Sequence, residues 1–226
     1  EIINHFAGLP EDAQMLIAKP KNVDFTLNET DNEITLTTSK IIVSVDKQTT
    51  KISAKFIDGK EFYSQKKQDF RTGDIHDLGL ADLEGDYACF ESLELETDEV
   101  VYGLGERFDS LTRNGRTVDF YNKDAVGTTS RRSYLNIPFY LSTKGYGLFL
   151  NSGARTDWQI GTTDLSVLQF AVLDSQIDYF VIGGKTPKDI IMGYCTLTGF
   201  AKLPPLWSFG LWMSRNSYVS WDVVDD

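Results

Sequence analysis

The stretch EITLTTSKIIVSVDKQTTKISAKFIDGKEFYSQ, residues 33–65, alternates apolar and polar side chains along most of its length. A period of two places successive side chains on opposite faces of an extended chain, as in a strand with one buried face. Asp46 with Lys47, and Asp58 with Gly59, interrupt the alternation, and such pairs are typical of turns between antiparallel strands. The stretch therefore predicts a set of antiparallel strands.

The same alternation returns twice later in the chain. Residues 136–152 form two further apolar segments divided at 144–145, and residues 165–184 form two more divided at 174–175. Long strands joined by short turns predict a mainly β protein, an antiparallel β-sandwich, rather than a βαβ repeat.

One helix is predicted from about Pro187 to about Thr198. Thr186 can cap its start, Asp189 suits the positive end of the helix dipole, and Gly199 can end it. Four side chains are expected on its buried face: Ile190, Ile191, Tyr194 and Leu197.

Composition excludes several functions. The 226 residues carry a net charge of -11, which opposes binding to nucleic acid, and no apolar run approaches the roughly 20 residues of a membrane helix. Only His5 and His76 are available for a histidine metal site, so no metal or cofactor is expected. Cys89 and Cys195 stand in apolar contexts as free thiols, and we expect a cytoplasmic protein.

Acidity is concentrated in one part of the chain. Residues 72–99 contain ten Asp or Glu and no Lys or Arg. A solvated edge or loop is the favoured interpretation, and a cation site is the alternative.

The stretch YGLGERFDSLTRNG, residues 102–115, could be a cofactor loop, a catalytic site or a turn. A dinucleotide fingerprint fails, because Phe108 stands where the third glycine is required. The alternative is that Gly103 and Gly105 permit a bulge or a close backbone approach, with Glu106 and Arg107 in local ion-pair contacts.

Spacing alone identifies no catalytic group among 33 acidic residues and two histidines. The aromatic residues suit either sugar stacking or, more commonly in a sandwich, the core. They are Phe120, Tyr121, Phe139, Tyr140, Trp158, Trp207, Trp212, Tyr218 and Trp221.

The C-terminal part predicts the start of a second domain. Pro204 and Pro205 favour an extended connector, and LWSFGLWMS, residues 206–214, is typical of a strand buried on both faces. We expect domain boundaries at 1–204 and 205–226, with the second domain truncated.

The order of three segments, residues 101–124, 136–152 and 178–214, resembles the N-terminal part of glycoside hydrolase family 31, especially its α-xylosidases. The resemblance implies a galactose-mutarotase-like β-sandwich followed by the first strand of a (β/α)₈ barrel, beginning near Leu206. It also implies that 102–115 is a family signature that shapes the sandwich beside the barrel, and no cofactor loop.

The resemblance further implies retaining hydrolysis of α-glycosidic bonds by two aspartates on later barrel strands, so no catalytic residue is expected in this chain. In YNKDAVGTT, residues 121–129, Asp124 matches a contact to the leaving-group sugar; an exposed turn aspartate is the alternative. Asn216, Ser217 and Tyr218 match the top of the first barrel strand, which borders the sugar pocket. Family members often place an aromatic residue at the position of Asn216 or Ser217, and its absence here weakens the case for xylose.

The expected function is therefore that of a non-catalytic N-terminal domain that supports the barrel and lends a loop to the substrate subsite. An α-linked oligosaccharide is the expected partner, and a homo-oligomer stays open. A stand-alone carbohydrate-binding sandwich is the first alternative, and an aldose mutarotase or epimerase, which needs histidine and carboxylate acid-base groups, is the second.

Overall fold

The computed structural model of the protein describes residues 1–5, 13–18, 21–72, 87–123 and 133–212. Along these residues the strands are, in chain order, β1 (Ile2–His5), β2 (Phe25–Glu29), β3 (Glu33–Thr38), β4 (Ile41–Asp46), β5 (Ile52–Phe56), β6 (Glu61–Thr72), β7 (Tyr87–Glu94), β8 (Val101–Gly103), β9 (Arg116–Phe120), β10 (Phe139–Ser142), β11 (Tyr146–Leu150), β12 (Thr156–Ile160), β13 (Val167–Val172) and β14 (Gln176–Gly183). One α-helix, α1 (Pro187–Thr198), and a short 3₁₀ helix (Leu206–Phe209) follow them.

The strands form two sheets. The smaller sheet has the order β1-β14-β11-β10-β8, and the larger has the order β2-β3-β4-β5-β6-β7-β13-β12-β9. Neighbouring strands pair antiparallel in both sheets, as the alternation predicted. The predicted strand divisions at 46–47, 58–59 and 144–145 are confirmed.

The turn at 174–175 differs from the others because it joins strands of different sheets. β13 belongs to the larger sheet and β14 to the smaller, so the chain crosses the core at this turn. β11 and β12 are related in the same way. These crossings make the two sheets one sandwich, and the predicted mainly β class is confirmed.

Aromatic rings fill the space between the sheets. Trp158 of the larger sheet stacks on Phe170 with 4.4 Å between ring centroids, and Tyr140 of the smaller sheet meets Trp158 edge-on at 5.9 Å. All three side chains are buried. Such offset and edge-to-face pairs add about 0.5–1.5 kcal/mol each beyond the burial of their surface.

Helix α1 begins and ends as predicted. The Thr186 hydroxyl accepts a hydrogen bond from the backbone N–H of Asp189, whose carboxylate accepts one from the backbone N–H of Thr186 in return. Gly199 follows as the C-cap. Among the described residues, no helix is long and apolar enough to cross a membrane.

The helix covers the outer face of the smaller sheet. Ile190 and Leu197 are buried with Phe149 and Phe180, and Tyr194 stacks on a further sheet residue. Ile191 was expected on this face, but 44% of it is exposed. Residues 190, 194 and 197 repeat at three and four positions and share one stripe, whereas residue 191 lies one step, about 100°, around the helix.

The acidic stretch is only partly a solvated segment. Its residues 73–86 lie outside the described part of the chain, but β7 follows them as an interior strand of the larger sheet. Glu91 is fully buried there, and its Oε2 accepts hydrogen bonds from the Tyr179 hydroxyl at 2.7 Å and the Gln65 amide at 2.9 Å. The expectation of a loop or edge was therefore wrong for β7. Cys89, Leu93 and Leu95 point into the core, and Glu91 lies on the same face of the chain because it is two residues from Cys89 and from Leu93.

The run after Pro205 is not a strand in the described residues. The 3₁₀ helix closes its own local hydrogen bonds, from Ser208 N–H to Pro205 O at 3.0 Å and from Gly210 N–H to Trp207 O at 3.1 Å. Trp207 is 73% exposed and Leu211 is 93% exposed. A buried parallel strand needs hydrogen-bonding partners on both edges, and no described strand pairs with this segment. Residues 213–214 of the predicted strand lie outside the described residues.

A second buried carboxylate precedes β8. Glu99 is 2% exposed, accepts a hydrogen bond from the Ser142 hydroxyl at 2.5 Å, and accepts another from the backbone N–H of Glu96 at 3.2 Å. Burial raises the pKa of Glu99 above its ordinary value, and the Ser142 hydrogen bond opposes that rise.

We expect Glu99→Gln to gain stability relative to the wild type as the pH rises from about 4 to about 7. A raised folded-state pKa means that the Glu99 contribution is fully present below the unfolded-state pKa and is lost as the pH rises through the folded-state pKa. Urea unfolding at several pH values measures the difference between the two proteins. The exposed Glu94→Gln on β7 is the control, and a Glu99→Gln difference that is constant with pH would contradict the prediction.

Candidate functional site

The glycine stretch 102–115 leaves β8 through three successive residues with positive φ. The φ angles are +114° for Gly103, +63° for Leu104 and +82° for Gly105. Leu104 is fully buried in the sandwich core, so its side chain anchors a backbone conformation that disfavours residues with a Cβ.

The glycines are required by a close approach between two backbone segments. A Cβ on Gly103 would lie 2.7 Å from the carbonyl oxygen of Phe139, and a Cβ on Gly105 would lie 2.2 Å from that of Leu135. In the same place, the Leu104 N–H donates to Phe139 O and the Glu106 N–H donates to Leu135 O, each at 2.9 Å. The predicted close backbone approach is confirmed.

Arg107 extends this contact to side chains. Its Nε donates to Leu104 O at 3.3 Å, an NH₂ group donates to Asn136 Oδ1, and the guanidinium lies 5.4 Å from the centre of the Phe120 ring. Burial, with the neighbouring Arg113 charge, lowers the pKa of Arg107 to about 10. The guanidinium therefore stays charged at neutral pH.

Arg113 closes the other end of the stretch. It is buried, and its Nε donates to Gly103 O at 2.8 Å while an NH₁ group donates to Ser110 O at 2.9 Å and pairs with Asp109. The ion pair observed within the stretch is thus Arg113 with Asp109, whereas Glu106 and Arg107 had been expected to make ion-pair contacts.

The glycine stretch also bonds to the described residues that flank 124–132, to Ser133 and Asn136 directly and to Asn122 through Asn136. On one side, Asn122 accepts a hydrogen bond from the Asn136 amide. On the other, the Ser133 hydroxyl donates to Glu106 O at 2.7 Å and its carbonyl accepts from the Lys123 N–H at 3.3 Å. We call residues 121–123 and 133–136, with Arg107, the loop base.

The Tyr121 ring of the loop base lies near two cations. Tyr121 is 46% exposed, and its ring centre lies 4.6 Å from Lys123 Nζ and 5.3 Å from the Arg155 guanidinium carbon. Arg155 also pairs with Asp119 at 3.3 Å. Cation–π contacts of this kind contribute about 0.5–1 kcal/mol at exposed sites, which favours a fixed orientation of Tyr121.

The four predicted substrate-binding residues, Asp124, Asn216, Ser217 and Tyr218, lie outside the described residues. Their roles stay predictions. The structure adds the loop base, which Asp124 directly follows in the sequence. The sequence offered little signal for it, because Asn122, Ser133 and Asn136 are common residues with no diagnostic spacing. Within the part of the chain that the structure describes, no three His, Cys, Asp or Glu side chains come together as metal ligands would.

We expect Gly105→Ala to destabilise the protein by at least about 3 kcal/mol, because the new Cβ overlaps Leu135 O and only a backbone shift relieves it. Gly59→Ala is the matched control, since Gly59 also has a positive φ, +94°, but a Cβ added there would meet no atom within 4 Å. That control should cost only the conformational term of about 1–2 kcal/mol. Thermal unfolding of both variants measures the difference, and equal losses would mean that the backbone approach is not tight.

Comparisons with known proteins bear on the family of the chain. A family profile described as the glycosyl hydrolase 31 N-terminal galactose mutarotase-like domain matches residues 4–158. The α-xylosidase XylQ of Lactiplantibacillus pentosus is 45% identical over 126 residues, which are 56% of this chain and 16% of that protein. An α-xylosidase of Emericella nidulans is 41% identical over 124 residues, 55% of this chain and 16% of that protein.

A solved structure of a family 31 dextranase from Flavobacterium johnsoniae, complexed with glucose, superposes with a TM-score of 0.70. It is 25% identical, and the match covers 82% of this chain and 22% of the dextranase. The chain thus spans less than a quarter of each of these three proteins. With the profile matched over more than half of its length, the chain belongs to glycosyl hydrolase family 31, as an N-terminal galactose-mutarotase-like domain.

Proposed function

We propose that this chain is the non-catalytic N-terminal domain of a retaining α-glycosidase, with α-xyloside as the first substrate to test. The observation that carries the proposal is the loop base, where the glycine stretch bonds to Ser133 and Asn136 and, through Asn136, to Asn122, two residues before Asp124. The similarity to two α-xylosidases supports the choice of substrate. An α-linked oligosaccharide is the proposed partner of the whole enzyme.

The loop base is proposed to act by positioning. Arg107 bonds to Asn136, which bonds in turn to Asn122, so this chain of contacts is proposed to set the direction of the backbone after β9. Asp124 follows two residues later and is proposed to contact the leaving-group sugar. A contact of this kind contributes only if the aspartate is held where the sugar binds, because a small misplacement can cost about 100-fold in rate.

The boundary between the sandwich and the barrel is proposed near residue 205, giving domains at 1–204 and 205–226. The exposed apolar side chains of the 3₁₀ helix and of the residues after it support this division. We also propose a cytoplasmic location, because Cys89 and Cys195 are free thiols.

Residues 1–226 alone should not hydrolyse p-nitrophenyl α-xyloside or the corresponding glucoside, because the family's two catalytic aspartates are expected after Asp226. The longer polypeptide that includes the barrel should hydrolyse at least one of them. Release of p-nitrophenol measures both proteins. The assignment as non-catalytic would be overturned if the purified chain hydrolysed either substrate and a substitution within the chain abolished that activity.

In the longer enzyme, Asn136→Ala should lower kcat/KM by about tenfold, since the loop base then loses its side-chain bridge to Asn122. Asn28→Ala is the control, because Asn28 is an exposed asparagine on β2, in another part of the larger sheet. The melting temperature of each variant shows whether the fold is kept. An unchanged kcat/KM in folded Asn136→Ala would remove the positioning role.

Deleting residues 206–226 should improve the solubility of the chain and leave its melting temperature nearly unchanged. The described part of this segment holds apolar side chains in water, at a cost of roughly 25 cal/mol per Å². Sedimentation and thermal unfolding measure the two properties. Unfolding of the shortened chain would instead place the segment in the sandwich core and move the boundary.

A further inference from the structure

An open cavity of about 440 Å³ lies on the outer face of the larger sheet. Most of its lining residues carry polar groups, although carbon atoms form the larger part of its surface. Trp158 and Leu168 point into the core, so their neighbours Gln159 and Gln169 point outward and line the cavity. It lies at the Ile160 end of β12, where the strand pairs with the start of β9, whereas the loop base follows the other end of β9. The cavity is therefore separate from the loop base.

Two amides in the cavity are held in a fixed orientation. Gln159 is 8% exposed, and its Oε1 accepts hydrogen bonds from Gln169 Nε2 at 2.8 Å and from the Thr163 hydroxyl at 2.6 Å. Two donors on one oxygen determine which way the Gln159 amide faces, and among the described residues its Nε2 then has only a long contact of 3.4 Å, to Asp157. The amides are thus ordered before any ligand arrives.

Other polar atoms of the lining are open to solvent. Gln169 Oε1 and Ser92 Oγ make no side-chain hydrogen bond to any described residue, so they offer acceptor and donor capacity at the cavity surface. Lys66 donates to Ser166 at 3.2 Å and lies 3.8 Å from Asp164. Because these two opposite charges offset each other, the lining is close to neutral.

We propose that this cavity is an accessory binding site for a sugar unit of an α-linked oligosaccharide. The lining places hydrogen-bond donors beside acceptors on ordered amides and hydroxyl groups, an arrangement that matches vicinal sugar hydroxyls. Val167 offers an apolar contact for the C–H face of the sugar ring. A neutral lining in a protein of net charge -11 disfavours an anion. The choice of oligosaccharide rests on the proposed function; the polyhydroxyl class rests on the cavity.

Binding at this site should be weak. The described lining includes no aromatic ring on which a sugar could stack, so the affinity comes from hydrogen bonds that replace bound water and from contacts with the carbon atoms of the lining. We expect a dissociation constant on the order of 1–10 mM for a trisaccharide. Such a site concentrates substrate near the enzyme without taking part in hydrolysis.

The test is a titration of residues 1–226 with isomaltotriose, followed by ¹H–¹⁵N spectra that include the glutamine side-chain amides. Saturable shifts at Gln159 and Gln169 are expected, and Gln169→Leu or Ser92→Ala should weaken binding by about fivefold. Ser44→Ala is the matched control, since Ser44 lies on the same outer face, on β4. Glycerol at equal hydroxyl concentration controls for non-specific polyol effects.

The site would be supported by saturable shifts that become weaker in both cavity variants and stay unchanged in Ser44→Ala. Three results would overturn it: no saturable shift, equal shifts with glycerol, or full binding by both folded cavity variants. The assay uses no catalysis, so its failure leaves the proposed glycosidase role untouched. Conversely, an inactive longer enzyme with normal shifts in the chain would reject the glycosidase proposal and keep a sugar-binding cavity.

Discussion

The close approach of the Gly103–Gly105 backbone to residues 135–139 is the constraint on which the candidate site depends. Two backbone hydrogen bonds of 2.9 Å join the segments at a separation that leaves no space for a Cβ. Leu104 anchors the segment in the core, and Arg107 and Arg113 use its carbonyls as acceptors. This contact therefore fixes the position of the loop base and of the start of β9.

Polar groups buried between the sheets give the sandwich specificity as well as stability. Glu91 is bonded to Tyr179 and Gln65, and Glu99 to Ser142, so strands distant in sequence are joined by hydrogen bonds that only one register satisfies. In a low dielectric an unpaired carboxylate would cost several kcal/mol, which disfavours alternative registers of β7. The apolar alternation alone would not make that distinction.

Local patterns predicted the elements whose causes are local. The alternation in residues 33–65 and the cap at Thr186 depend on neighbours within a few positions, and both are confirmed. The exposed Ile191 shows where local patterns stop being sufficient. It lies at the border of the buried stripe of the helix, and the partner sheet determines which border residues are covered. The strand expected from Leu206 depends wholly on partners, and none of the described strands supplies them.

The candidate site shows the same limit more strongly. The glycines of residues 102–115 were recognisable as a close backbone approach, but their partner, residues 135–139, lies about 30 positions away with no local mark. Asn122 follows the end of β9 and Asn136 precedes β10, so the two meet only because the fold brings these segments together. The outward Gln159 and Gln169 are likewise ordinary polar positions of two strands until the register sets them side by side.

Helix α1 gives the smaller sheet a second covered face, so that β11 is buried throughout. Phe139, against which Tyr194 stacks at 4.2 Å, also accepts the Leu104 N–H through its carbonyl. One residue therefore couples the helix to the glycine stretch. Because Phe139 lies on β10, a shift of β10 would displace both α1 and the glycine stretch that holds the loop base.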